Sequence, residues 1–445
     1  MNVQLPSNDM GVEHMSNRKF SRMTYPLAAA SVLALTLSAC AGGGGGTGGG
    51  AGGSDAEANL DGRGPITYVQ GKDNSNVVRP LIEKWNAAHP NEQVTFKEQT
   101  DEADQQHDDL VQNFQAKNAN YDVMSVDLIW VAEFAAKGWL QPLKDKMAIS
   151  TDGLLKATVE SSTYNNTLYT VPQTSDGGML YYRKDLVPTP PKTWDEMMSM
   201  CSIAKENNIG CYAGQHAKYE GLTVNAAEAI NSFGGEIVDN SGKATVNSDE
   251  AKEGLGKLAE AYKDGNIPAE AITYTEEEGR IDFQAGKLLF HRNWPYVYKL
   301  ATTEASSAVK DVLGLAPLPG MSGPGASSLG GHNVGVSVYS KNKATALDFL
   351  KYIISEETQR FYVTQGSLAP AMEKLYDDPQ LVAQLPYLTT LKTSIENAVP
   401  RPVTPFYPAV TKAIQDNAYA AMKGEKAVDS AVSDMQSAME AAGAK

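Results

Sequence analysis

Apolar positions along this chain follow two periods that alternate. Residues 66–70 form a short apolar run that reads as a strand, and 77–88 then place Val78, Leu81, Ile82 and Trp85 on one face of a helix. Residues 93–97 predict a second strand, 108–116 a helix and 121–127 a buried strand. This order of strand, helix, strand, helix predicts an α/β fold with a largely parallel sheet covered by helices. Further strands are expected over 168–172, 179–183, 288–292, 312–316 and 334–339. A helix starts at Thr193, where Glu196 completes a capping-box pattern. Another runs over 249–264 and stops at Gly265. Val428, Val432, Met435 and Met439 recur at helical spacing and give the chain a helical end. No repeat occurs at solenoid periods. Ligands of α/β sheets bind beyond the carboxyl ends of strands, which singles out Asp127 and Asp176 among the acidic residues.

The first forty residues follow another pattern. Arg18, Lys19 and Arg22 precede an apolar stretch, 26–37, that is too short to span a bilayer as a mature helix. It ends in Leu37-Ser38-Ala39-Cys40, which resembles the bacterial lipobox, where cleavage leaves Cys40 as a lipid-bearing N-terminus. An ordinary signal peptide that happens to precede a cysteine is the alternative. Met1 and Met15 are both candidate starts. Residues 1–39 are thus read as a lipoprotein signal peptide, and 40–63 as the lipidated cysteine with a tether. Residues 42–53 are almost all glycine, whose backbone entropy forbids folding. A tether of about 20 residues has a reach of roughly 25 Å. The expected place of work is the outer face of the cytoplasmic membrane, touched through the lipid alone. No later stretch of about 18 apolar residues follows.

With 445 residues the chain is too long for one ordinary core, so two domains are expected. A formal net charge of -15 argues against nucleic acid as a partner, since phosphate binding needs a basic surface. Cys201 and Cys211 either close a short disulfide loop in an oxidising compartment or are buried free thiols. The six histidines have no metal-ligand spacing, and no CxxC, HExxH, nucleophile elbow or phosphate loop occurs. No metal and no cofactor is therefore expected. A glycosidase needs only two facing carboxylates, and 53 Asp and Glu residues can always supply a pair, so that signal has almost no specificity. Aromatic and polar residues do occur together. Sugars stack their C–H faces on rings while hydroxyls bond to charged groups. Arg292-Asn293-Trp294-Pro295-Tyr296 presents two aromatics around a proline, which excludes a central strand there. Residue type alone places Trp294 in a core more readily than in a site.

Several segments make the chain recognisable. They include Tyr121-Asp122-Val123 through Asp127 and Trp130, Leu180-Tyr181-Tyr182-Arg183-Lys184-Asp185-Leu186, Tyr219-Glu220-Gly221-Leu222, the Arg292–Tyr296 stretch, Leu329-Gly330-Gly331, and Glu396 through Arg401-Pro402. From about Gly64 onward the sequence resembles the extracellular solute-binding proteins of the maltose-binding-protein family, and among them the trehalose/maltose binders. The resemblance implies a two-lobed fold with a sugar in the cleft and no enzymatic activity. Residues 64–174 with 335–375 would form one lobe, and 177–333 with 376–445 the other. Crossings would lie at 174–176, 333–335 and near Leu375. The lobes would close like a hinge. The partners implied are a short oligosaccharide and the membrane permease, with its cytoplasmic ATPase, of an ABC importer, served by a monomer.

By the same resemblance Asp127 and Asp176 accept bonds from sugar hydroxyls, and Trp294 and Tyr296 stack on or flank the rings. Gly330 and Gly331 bring backbone close, and Arg401 donates a charge-assisted bond. Trp130, Tyr219 and Glu220 lie in matching segments and join the candidates. Departures fall at the same pocket. His332 and Thr174 replace aromatics, Asn74 lies near an acidic position, and Gln106 and His107 stand where an arginine pair is usual. The favoured cargo is an α-glucoside of the trehalose or maltose kind, and another α-linked or fructose-containing sugar is a further choice. A surface-anchored glycoside hydrolase, or a sensor or adhesin without transport, remain the alternatives.

Overall fold

The computed structural model describes residues 60–443 except Asn240. The export signal, both candidate starts, Cys40 and the glycine run at 42–53 lie outside the described residues. Among the described residues no helix is long and apolar enough to cross a membrane.

Two sheets organise the chain. In the first, the order is Val94–Glu98, Ile66–Gln70, Val123–Asp127, His332–Val336, Thr170–Pro172. Ile66–Gln70 runs parallel to both Val94–Glu98 and Val123–Asp127. His332–Val336 is antiparallel to both its neighbours, so one strand breaks the expected parallel run. It also begins two residues before the expected start at 334, because His332 still pairs with Asp127. Helix Val78–Ala88 buries the foreseen stripe of Val78, Leu81, Ile82 and Trp85. The helix expected at 108 instead starts at Ala103, because the Glu102 carboxylate accepts the N–H groups of Asp104 and Gln105.

The second sheet has the order Leu313–Pro317, Met179–Arg183, Leu288–Asn293, Gly210–Ala213. Met179–Arg183 is antiparallel to both its neighbours. Helices Glu220–Ser232, Asp249–Lys263, Tyr407–Met422 and Val428–Ala442 share its core, to which the terminal stripe of Val432, Met435 and Met439 belongs. Ser248 caps the second of these helices by accepting the Ala251 N–H. Thr193 and Glu196 form the capping box on Trp194–Ser199. A disulfide joins Cys201 to Cys211 and ties a helix start to the strand Gly210–Ala213.

A small third sheet, Ala398–Val399, Ser327–Gly330 and Asp176–Gly177, links the two. Its strands are only two to four residues long, so no hydrophobic period announces them. Leu329 pairs with Gly177, and Gly330 with Asp176. A single residue, Gly331, then separates this sheet from the first one. Ser175 N–H donates to the Ala369 carbonyl, and Gln173 and Thr174 N–H donate to the His332 carbonyl. The buried side chains divide accordingly. One core surrounds the second sheet from Met179 to Met439, and it already includes Val363, Ala369 and Leu375. Two others line the faces of the first sheet. The result is a two-lobed α/β molecule.

Gly331 has φ +112°, and a Cβ there would stand 2.3 Å from the Thr174 carbonyl oxygen. Both features demand glycine. Gly331→Ala is expected to lower unfolding stability by about 1–3 kcal/mol, read from urea denaturation. A loss below about 0.5 kcal/mol would show that the crossing yields to a side chain.

Candidate ligand-binding site

A cavity of about 220 Å³ opens where the ends of the two larger sheets face one another. From the first-sheet side come Asp127 at the end of Val123–Asp127, Trp130 in the turn that follows, Asn74 after Ile66–Gln70, and Gln106 on helix Ala103–Gln115. The crossing segments add Thr174, Asp176, Gly330, Gly331 and His332. From the second-sheet side come Trp294 and Tyr296, beyond Leu288–Asn293, with Tyr219 and Glu220 at the head of Glu220–Ser232 and Arg401 after Val399. The structure thus gathers these residues from eight separate stretches of chain into one cleft.

His107 is the exception. It does not line the cavity. Its Nε2 meets the Glu133 carboxylate at 2.7 Å, and its ring stacks on Phe134. Glu133 is buried and also takes Lys137, so His107 is part of a local charge cluster that turns it away. Gln106 reaches the cleft with its amide tied to the Thr100 carbonyl at 2.9 Å.

The two walls differ in character. On the second-sheet side three aromatic side chains are fixed by partners. The Tyr219 hydroxyl donates to Glu276 at 2.6 Å, and the Tyr296 hydroxyl donates to Glu277 at 2.6 Å. Arg280 holds Glu277 in turn. The Trp294 ring lies over the guanidinium of Arg292, 3.9 Å from its centre. Facing them, the other wall carries Trp130 and is otherwise largely polar, with Asn74, Gln106, Gln173, Thr174 and His332. Gly330 lets Trp294 come close, since a Cβ there would stand 2.8 Å from the ring.

Charge in the cleft is arranged around Arg401, which is almost wholly buried. It donates to Glu220 at 2.5 Å and to Asp127 at 3.3 Å, which leaves its Nε without a partner among the described residues. Glu220 accepts from Tyr407 and Thr411 as well. Burial pushes the Glu220 carboxyl up to about 7, against the pull of Arg401. Asp176 is raised to about 7 first by burial and then by the nearby Asp127. Among the described residues no side chain hydrogen-bonds Asp176. Burial also lowers the His332 pKa below its ordinary value, so that ring is neutral at pH 7. An unpartnered carboxyl, a neutral imidazole and a buried guanidinium with one unpartnered N–H therefore surround one polar, aromatic-walled space.

Sequence reasoning passed over Glu276, Glu277 and Gln173. The two glutamates sit in an acidic run that reads as solvated surface. Thr275 and Glu278 form a capping box, and that pattern marks the run as the first turn of a helix, Glu276–Gln284. Among the described residues no group of His, Cys, Asp and Glu is placed to hold a metal ion.

The model of bacterial extracellular solute-binding proteins matches residues 68–360. The chain belongs to this family. A probable ABC transporter-binding protein of Deinococcus radiodurans is 35% identical over 307 residues, covering 66% of this chain and 72% of that protein. The galactooligosaccharide-binding protein of Bacillus subtilis is 25% identical over 279 residues, covering 59% of this chain and 62% of that protein. Among solved structures, maltose-bound MalE3 of T. maritima superposes with a TM-score of 0.80 at 32% identity, covering 84% of this chain and 99% of that one. These are solute-binding proteins and not enzymes. As a member of the extracellular solute-binding family, the chain holds its substrate without reacting with it.

The raised carboxyl of Asp176 makes a prediction for the family member's stability. Its folded pKa lies near 7 against an ordinary 3.8. The stabilising proton is fully bound below about pH 4, and its contribution is lost as pH rises through about 7. Asp176→Asn should therefore unfold at higher urea than the parent at pH 8, and at the same urea near pH 4. A difference that does not change with pH would place Asp176 among ordinary solvated carboxylates.

Proposed function

We propose that this protein is the extracellular receptor of an ABC importer for a short oligosaccharide, with an α-glucoside disaccharide of the trehalose or maltose kind as favoured cargo. The observation that carries this reading is the cluster of Tyr219, Trp294 and Tyr296 on one side of a cleft whose other side, Trp130 apart, is largely polar. Such a cleft suits a ring with an apolar face to stack and a hydroxyl edge to bond. Asp127, Asp176 and His332 would take sugar hydroxyls, and the spare Nε of Arg401 would donate to an oxygen. Asn74, Gln106, Trp130, Thr174, Glu220 and the backbone at Gly330 and Gly331 would complete the surround. The ligands of the similar proteins, maltose and galactooligosaccharide, support a saccharide cargo.

In this reading residues 64–174 with 335–375 and residues 177–333 with 376–445 are lobes that close on the sugar by bending the crossing segments. The closed, loaded monomer is delivered to the permease. Lipid on Cys40 and the glycine tether keep it beside the membrane.

Calorimetric titration with trehalose, maltose, sucrose, raffinose and xylo-oligosaccharides tests the cargo. Micromolar or tighter binding of one sugar class is expected, weakened about 10- to 100-fold by Trp294→Ala. Silence across the panel would overturn the saccharide reading. The anchor has its own test. Cys40→Ala should move the protein from the detergent phase to the aqueous phase on phase separation of cells producing the full chain. A parent already in the aqueous phase would rule the anchor out.

A further inference from the structure

A buried ion pair lies outside the cavity yet directly beneath it. Arg292 has no exposed surface. Its Nε and Nη2 reach the two oxygens of Glu228 at 2.8 and 2.5 Å, and its Nη1 reaches Gln215 at 2.9 Å. Neither Arg292 nor Glu228 lines the cavity. Removing two charges from water costs several kcal/mol, and apolar residues of like volume often replace such a pair without loss of stability. Fold stability alone is therefore a weak account of it.

Its contacts suggest what the pair holds together. Above it lies the Trp294 ring. Beside it run both crossing strands of the small sheet. Glu228 Oε1 also accepts the Ser328 N–H at 3.0 Å. Gly178, one residue beyond Asp176–Gly177, passes so close that a Cβ would stand 2.6 Å from Arg292 Nη2. The planar guanidinium thus serves as a floor for the indole and, through the shared carboxylate, as a brace for the crossing backbone.

We infer that Arg292 and Glu228 are positioning residues that hold the stacking face of Trp294 in register with the strands crossing between the lobes. The pair then sets sugar affinity without touching sugar. This rests on the proposed role of Trp294.

The test uses the full chain with maltose as probe, and acrylamide quenching of Trp294 in the sugar-free protein. The Trp294 signal is isolated by subtracting the matching Trp294→Phe protein. In Arg292→Met/Glu228→Leu, folded and with near-parental melting, maltose affinity should fall about ten-fold and Trp294 should become more open to quencher. Arg292→Lys, which keeps the charge and loses the fork, should fall between that variant and the parent. Should the double variant fail to fold, Glu228→Gln carries the same two readouts. Affinity within about two-fold of the parent together with unchanged quenching would overturn the inference. If the parent does not bind maltose, the quenching result decides alone. If Trp294→Ala itself keeps maltose affinity, the stacking role fails. If only the Arg292 and Glu228 variants keep it, the stacking role stands and the positioning role falls.

Discussion

The structure depends on a tight backbone crossing. Between the two sheets the chain passes at 173–177, at 328–332 and at 369–370, and the passages bond directly to one another. At the closest point the Thr174 carbonyl leaves no room for a side chain on residue 331. Backbone so close-packed bends about few dihedrals and does not slide, because every N–H and carbonyl it exposes needs a partner. The same crowding sets the cleft. Asp176, Gly330 and His332 reach the cavity because they sit at the crossing, where strands of different sheets end.

Electrostatics in the cleft follow from how few cations are buried there. Arg401 is shared by two carboxylates on elements of both sheets, so it joins Val123–Asp127 to the head of Glu220–Ser232. Arg292 is spent on Glu228. Asp176 is raised first by burial and then by the like charge of Asp127, and the paired Arg292 offsets only part of this. A carboxyl in that state can accept a hydrogen bond when ionised and donate one when protonated. Either suits a neutral polyhydroxylated molecule, whose groups both donate and accept.

Much of this was legible in the sequence, for reasons that differ by element. The stripe of Val78, Leu81, Ile82 and Trp85 is a burial signal that tertiary context had no cause to override. The small linking sheet was not legible, because strands of two to four residues carry no period. The early helix start at Ala103 depends on Glu102, a weaker cap signal than Ser or Thr. In the cleft, residues next to recognisable segments were found and brought together. His107 was not among them, because its partner Glu133 lies 26 residues along the chain and the pairing has no sequence signature. Glu276 and Glu277 were missed because an acidic run looks the same whether its first turn faces water or a cavity.

The Arg292–Trp294 stretch shows how residue type and place trade off. Trp294 alone reads as core, and the strand that delivers it is buried at all six positions. Strand alternation would then bury Trp294 as well. Pro295 ends the ladder, and the Asn293 side chain accepts the Trp294 N–H at 2.7 Å, so the chain turns out of the sheet at that residue. The charge beneath the ring keeps the indole from sinking into the core below, since that space is filled by a guanidinium with all its partners in place. A tryptophan supported from underneath by a satisfied ion pair has one face committed, and in this chain the residue also lines the cavity.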